Sequence, residues 1–275
     1  MNAEPISLGV LCRPSRHIFL SPHYDDIPLS CGGTVALLTG AGAVAEIVVI
    51  FGAAPPPGQD LSPFAQELHA RWGVSAQDVV TRRRAEEEAA AAILGASVRT
   101  LDFPDAIYRG HRYTDEATLM GETAPDEHDL PERIVAAIGE RANISSPGEI
   151  RWYAPLGIGG HVDHRLAFRA GAHLAAAGAD VWLYEDLPYA LRAGAIERRL
   201  AEGADALSPV GVVLISANWE RKLNAIMRYR SQLASVFQGI TGDPNRRDIG
   251  QALIRYARAV GQGEPGERYW RLTRL

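Results

Sequence analysis

At 275 residues, 47% hydrophobic and 22% charged, the chain has the make-up of a globular protein with a sizeable core. Its net charge of −5, with acidic and basic residues interspersed, argues against nucleic acid as a partner, because phosphate binding calls for a basic surface. Two cysteines, Cys12 and Cys31, offer no disulfide framework, and Met1 to Pro5 carries no basic segment leading into an apolar one. No apolar run nears the roughly 18 residues of a membrane span, so the expectation is a cytoplasmic protein.

In chain order, Arg16 to Ser21 reads as a short strand and Ile27 to Gly40 as a helix rich in Ala, Leu, Val and Gly. Ala45 to Gly52 is a continuous apolar run, the pattern of a strand buried on both faces. After a Pro-rich loop at 54–58, helix-forming sequence runs from Ser75 to Leu94 and stops at Gly95, a good residue to follow a helix. Within it, Arg82-Arg83-Arg84 and then Glu86-Glu87-Glu88 read as a solvated face. Val98 to Phe103 is a strand, and 105–127 a long irregular segment. A helix (Asp129 to Ala142), a strand (Glu149 to Ala154) and a helix (Asp163 to Ala177) follow. Val181 to Tyr184 and Val210 to Ile215 are strands. Two late helices, Asn218 to Phe237 and Asp248 to Val260, precede a last strand near Tyr269 to Leu272. This alternation, without repeat or linker, predicts one α/β domain over 1–275, a Rossmann-like three-layer sandwich with a mainly parallel sheet.

Ligands in such sheets sit beyond the carboxyl ends of the strands. Two clusters fall there: Ser21-Pro22-His23-Tyr24-Asp25-Asp26 after the first strand, and Gly159-Gly160-His161-Val162-Asp163-His164 after the strand at 149–154. Pro22 fixes its own φ and ends the strand abruptly. His23 and Asp26, three apart, share a face if the segment turns helically, which leaves Asp25 pointing elsewhere. His161 and His164 lie one turn apart around Asp163, a residue placed to hold an imidazole by accepting its N–H. A catalytic zinc takes nitrogen and oxygen ligands and usually keeps three from the protein. Two such clusters supply those three and leave polar groups over for chemistry, which points to an enzyme. His17, His69, His111, His128 and His173 lack carboxylate or metal-spaced neighbours and read as structural or surface residues. Cys31 reads as a small buried residue, and Gly32 and Gly33 as sites of close helix–sheet packing. Tyr108, Trp182, Tyr189 and Trp270 read as packing aromatics, and Asp186, beyond a strand end, as a substrate contact.

Ser-Pro-His-Tyr-Asp-Asp at 21–26, Leu29-Ser30-Cys31-Gly32-Gly33-Thr34, and Gly-Gly-His-Val-Asp-His-Arg at 159–165 resemble the PIG-L (LmbE-like) zinc-dependent N-deacetylases. Arg83-Arg84-Ala85-Glu86, Tyr184 to Tyr189, and Tyr229-Arg230-Ser231-Gln232 are similar to segments of bacterial members. The resemblance implies Zn²⁺ held by His23, Asp26 and His164, with Asp25 as the general base that activates water. It implies His161 as the group that stabilises the oxyanion or protonates the amine, with Asp163 orienting it, and Arg83 as a substrate contact. Gly159 stands where some members carry a Tyr. The implied substrate is a small-molecule N-acetylated glycoside. The alternatives are an amidase for a larger N-acyl or thiol-conjugate amide, and a catalytically silent sugar-binding homologue.

Overall fold

The computed structural model describes residues 4–56, 58–72, 78–142, 148–202, 206–241 and 245–273. Seven strands form one sheet: β1 (Arg16–Ser21), β2 (Val44–Val49), β3 (Ser97–Thr100), β4 (Ile150–Pro155), β5 (Asp180–Tyr184), β6 (Leu207–Leu214) and β7 (Gly266–Leu272). Their order is β3-β2-β1-β4-β5-β7-β6. Pairing is parallel from β3 through β5, while β7 runs antiparallel to both β5 and β6. Helices cover both faces, as the alternation of elements predicts.

The central strands are buried on both sides: Ile18, Phe19, Leu20, Ile47, Val48 and Val49 are fully covered. Helix Asp26–Gly40 is apolar nearly all round because it lies between the sheet and helices Asp78–Leu94 and Trp219–Ile226. At Gly33 a Cβ would stand 2.6 Å from the Ile215 side chain, so the close approach of helix to sheet requires glycine there.

Position matters most between β1 and β4. They are neighbours, with Phe19 opposite Tyr153, yet the chain leaves β1 toward β2 on one side and returns through β4 on the other. This is where strand order reverses, and the carboxyl ends on either side open a crevice. The two His/Asp clusters follow those two ends.

Several expectations change. A helix, Pro63–Trp72, occupies the stretch between the Pro-rich loop and Ser75, to which no element was assigned. The helix expected from Ser75 is described from Asp78, and 75–77 lie outside the described residues. The face read as solvated is not so at Glu87, which is fully buried. The irregular 105–127 segment contains the short helix Glu116–Leu119 and two 3-10 turns. The helix expected over 218–237 is broken into Trp219–Ile226 and Leu233–Val236, because residues between them turn to bond side chains of Glu86 and Glu87. Among the described residues no helix is long and apolar enough to cross a membrane.

Candidate active site

His23 follows β1 directly, and its N–H donates to Asp26 Oδ2 (2.8 Å), which tightens the entry into helix Asp26–Gly40. Its Nε2 lies 2.8 Å from Asp163 Oδ2, although the two residues are 140 positions apart. Nδ1 faces Asp26 Oδ2 at 3.6 Å. His164, on helix Val162–Ala176, repeats the arrangement: Nδ1 is 2.6 Å from Asp186 Oδ1, and Nε2 is 3.5 Å from Asp26 Oδ1. Each imidazole thus has one nitrogen tied to a buried carboxylate and the other aimed at Asp26.

These residues fit a divalent cation. Ligands of a tetrahedral ion bonded at about 2.1 Å stand roughly 3.4 Å apart, close to the two separations at Asp26. His164 Nε2 is buried and without a hydrogen-bond partner, a vacancy in its bonding that a cation satisfies. Outer carboxylates that fix the tautomer are the normal companions of metal-binding histidines. A second group, His23, His161 and Asp163, also has ligand atoms within reach of one another. Its carboxylate is already engaged, however, with Arg109 on Oδ1 and both His23 and the Ala106 N–H on Oδ2.

Charge follows from these contacts. Burial acts against a charged His23, but Asp105, Asp163 and Asp26 outweigh it and lift the imidazole to about 9, so a metal would displace a proton there. Burial alone would likewise lower His164, yet Asp26 and Asp186 raise it. Burial and the adjacent Asp26 push the Asp25 carboxyl up to about 8. His161 is held well below its ordinary value by burial and by His23. Burial would raise Asp163, but Arg109 and His23 hold it far below the usual carboxylate range.

Asp163 and Asp186 differ from expectation. The Asp163 carboxylate orients His23; toward His161 only the Asp163 backbone N–H reaches, donating to Nδ1 at 3.2 Å. Asp186 lies behind His164, fully buried, and accepts the Gly157 and Ile158 N–H groups as well, and it is not among the residues that line the open cavity. Arg83 does line the open cavity beside the histidines, a space of about 500 Å³. Its guanidinium lies over the Tyr24 and Trp72 rings, 4.0 Å from Asp105. Asp25 and His161 face the same cavity. Tyr189 also lines it, with its ring 5.3 Å from His164 and packed so tightly on Gly159 that a Cβ there would lie 2.6 Å away.

Sequence reasoning missed Asp105, Arg109 and Glu87. Asp105 stands just past the carboxyl end of β3, the same signal that marked the two clusters, and its carboxylate lies 3.8 Å from His23 Nε2. Arg109 is wedged between Phe51 and Tyr113 and bridges Asp163 (2.6 Å) to Glu127 (2.7 Å). Arg109→Ala is expected to cost about 3–5 kcal/mol, since it leaves two carboxylates buried without their cation. Urea unfolding of the metal-free protein measures this, and a loss below about 1 kcal/mol would contradict the bridging role. The histidines read as structural are so placed: His17 meets the Tyr153 hydroxyl, His69 the Tyr108 hydroxyl, and His173 lies by Glu132 at the surface. Cys31 is buried and free.

A mainly parallel sheet whose switch point gathers imidazoles and carboxylates around one point defines an α/β enzyme with a metal-type His/Asp site. Comparison with known proteins narrows the class. The PIG-L profile, described as GlcNAc-PI de-N-acetylase, matches residues 18–175, and the chain belongs to that family. A 2′-N-acetylparomamine deacetylase of Streptomyces fradiae is 35% identical over 271 residues, covering 94% of this chain and 90% of that protein. A deacetylase of the same name from Niallia circulans is 32% identical over 189 residues, covering 62% of this chain and 66% of that relative, just under two thirds of its length. Among solved structures, the zinc-inhibited form of teicoplanin deacetylase Orf2 superposes with a TM-score of 0.77 at 28% identity, covering 94% of this chain and 98% of that one. Family membership places this chain among the N-deacetylase hydrolases.

Proposed function

We propose that the protein hydrolyses the acetamido group of an amino sugar carried by a small molecule, using a zinc ion held by His23, Asp26 and His164. The observation that carries this reading is the convergence at Asp26 of two imidazole nitrogens, one of them buried without a partner. Two nitrogens and a carboxylate oxygen are a donor set suited to zinc. When bound, such a cation supplies Lewis acidity: it polarises an acyl oxygen and makes water a nucleophile at neutral pH.

The chain's own residues supply the rest. Asp25, exposed to the cavity at the end of the first cluster, takes the proton of the attacking water as its oxygen bonds to the carbonyl carbon. His161 accepts the Asp163 backbone N–H on Nδ1, so its proton sits on Nε2 and is donated to the oxyanion as a hydrogen bond from a neutral ring. Asp25 then returns its proton to the nitrogen as the C–N bond breaks, releasing the free amine and acetic acid, which gives up its remaining proton to solvent as acetate. Arg83 and Asp105, side by side on the cavity wall, present donors and an acceptor to sugar hydroxyls. Residues 1–275 act as one catalytic unit, a reading supported by the seven strands of the described residues joining one sheet. A cytoplasmic setting suits the two free cysteines.

Acetate release across a panel of N-acetylated glycosides tests this, before chelation, after chelation and after zinc is restored. Activity is expected to vanish with the chelator and to return at one equivalent of zinc. Restoration is read at that ratio because the teicoplanin enzyme has a zinc-inhibited form. Release of a longer acid in place of acetate would shift the reading to a larger N-acyl amide. Sugar binding with no acid released from any amide would mark a silent homologue.

A further inference from the structure

Asp25 has a left-handed backbone, φ 102°, and with Gln262 is one of two non-glycine residues of positive φ among those described. L side chains rarely adopt this conformation, and it persists where surrounding bonds over-determine it. Helix Asp26–Gly40 secures one side, because the Leu29 N–H donates to the Asp25 carbonyl at 3.1 Å. The other side is held from outside. The Asp25 N–H donates to Glu87 Oε2 at 2.9 Å, across 62 positions of sequence. The same oxygen accepts the Tyr229 hydroxyl at 2.8 Å.

Glu87 is fully buried, and its other oxygen, Oε1, has no partner. A carboxyl group in such a place is expensive to keep unless its bonds do something apolar packing does not. Its neighbour Glu86 accepts the Ser231 N–H at 3.0 Å and the Ser231 hydroxyl at 2.5 Å. Together the two glutamates zip residues 229–231 onto helix Asp78–Leu94, which accounts for the interruption between helices Trp219–Ile226 and Leu233–Val236. Two segments far from the first cluster in sequence, the Arg83-to-Glu87 run and Tyr229-Arg230-Ser231-Gln232, thereby meet at the backbone of Asp25.

We propose that Glu87, oriented by Tyr229, is the positioning residue that fixes the Asp25 backbone so that its carboxylate faces the reacting water. This rests on Asp25 being the general base. Only Oε2 of Glu87 is used, so an amide oxygen can take its place, with the NH₂ at the unpartnered position. Displacement of a catalytic group by about 1 Å lowers turnover by up to roughly 100-fold.

The test compares Glu87→Leu, Glu87→Gln, Tyr229→Phe and Asp25→Asn in the zinc-loaded full chain, reading kcat, KM and zinc content for each. Glu87→Leu is expected to lower kcat about 30- to 100-fold with KM and zinc content unchanged, and Glu87→Gln to recover most of that loss. Tyr229→Phe, which leaves the Asp25 bond in place, is expected to lower kcat about three- to ten-fold. A Glu87→Leu protein turning over within about threefold of the parent overturns the proposal, as does Glu87→Gln falling as low as Glu87→Leu. If Glu87→Leu does not fold, unchanged kcat in Tyr229→Phe overturns it by itself. Full activity in Asp25→Asn would instead remove the general base, a failure of the underlying reading that the Glu87 variants do not produce.

Discussion

Asp25→Asn is expected to lower kcat by about 10²- to 10⁴-fold while the protein keeps its metal. The side chain makes no capping bond to the helix that follows it, so its carboxylate is free to face the cavity. Asparagine has the same shape and leaves the Asp25 N–H bond to Glu87 untouched. What it lacks is a site for the proton. Loss confined to kcat, with KM and metal content near the parent values, identifies a group that acts in the transition state rather than in binding. An asparagine variant that keeps more than about a tenth of the parental kcat would contradict the assignment.

His164→Ala is expected to strip the metal and all activity together. Its Nε2 is the buried, partnerless atom at the point of convergence, and no other imidazole among the described residues can replace it beside Asp26. His161 lines the cavity, but its Nδ1 is committed to the Asp163 N–H. Asp186→Ala is expected to act through the same histidine, weakening metal binding by about 10- to 100-fold, because the carboxylate that holds His164 Nδ1 is gone. Competition with a chromogenic chelator measures both. Parental affinity in His164→Ala would contradict the ligand set. Parental affinity in Asp186→Ala would contradict only the role given to the outer carboxylate.

Why some of this was legible in the sequence and some was not follows from distance along the chain. β1 is Arg16–Ser21 as its apolar run suggests, and β2 and β4 shift by a residue or a few at their ends, because strands buried on both faces announce themselves locally. The switch point between β1 and β4 follows from that alternation, so both His/Asp clusters could be placed beside each other in advance. Antiparallel β7 could not: its direction is set by the return of helix Arg246–Val260, not by its residues. In the site, His23, Asp25 and Asp26 follow the end of β1, and His161, Asp163 and His164 are reached by the loop that leaves β4. Of their partners, Asp105 and Asp186 also follow strand ends, those of β3 and β5, whereas Glu87 and Arg109 were harder to find. Glu87 reaches Asp25 from 62 positions away and Arg109 reaches Asp163 from 54, and neither stands in a motif whose spacing marks it. Asp163 shows the limit most clearly. Two positions from His161 in sequence, it was expected to hold that ring, yet the turn at the start of helix Val162–Ala176 sends its carboxylate to His23 instead.

The account depends on one cation shared by the two clusters, and anomalous diffraction at the zinc edge from zinc-loaded crystals tests that most directly. The predicted result is a dominant peak bonded to His23 Nδ1, an Asp26 carboxylate oxygen and His164 Nε2. A dominant peak on His23, His161 and Asp163, or one out of bonding reach of His164, would contradict it.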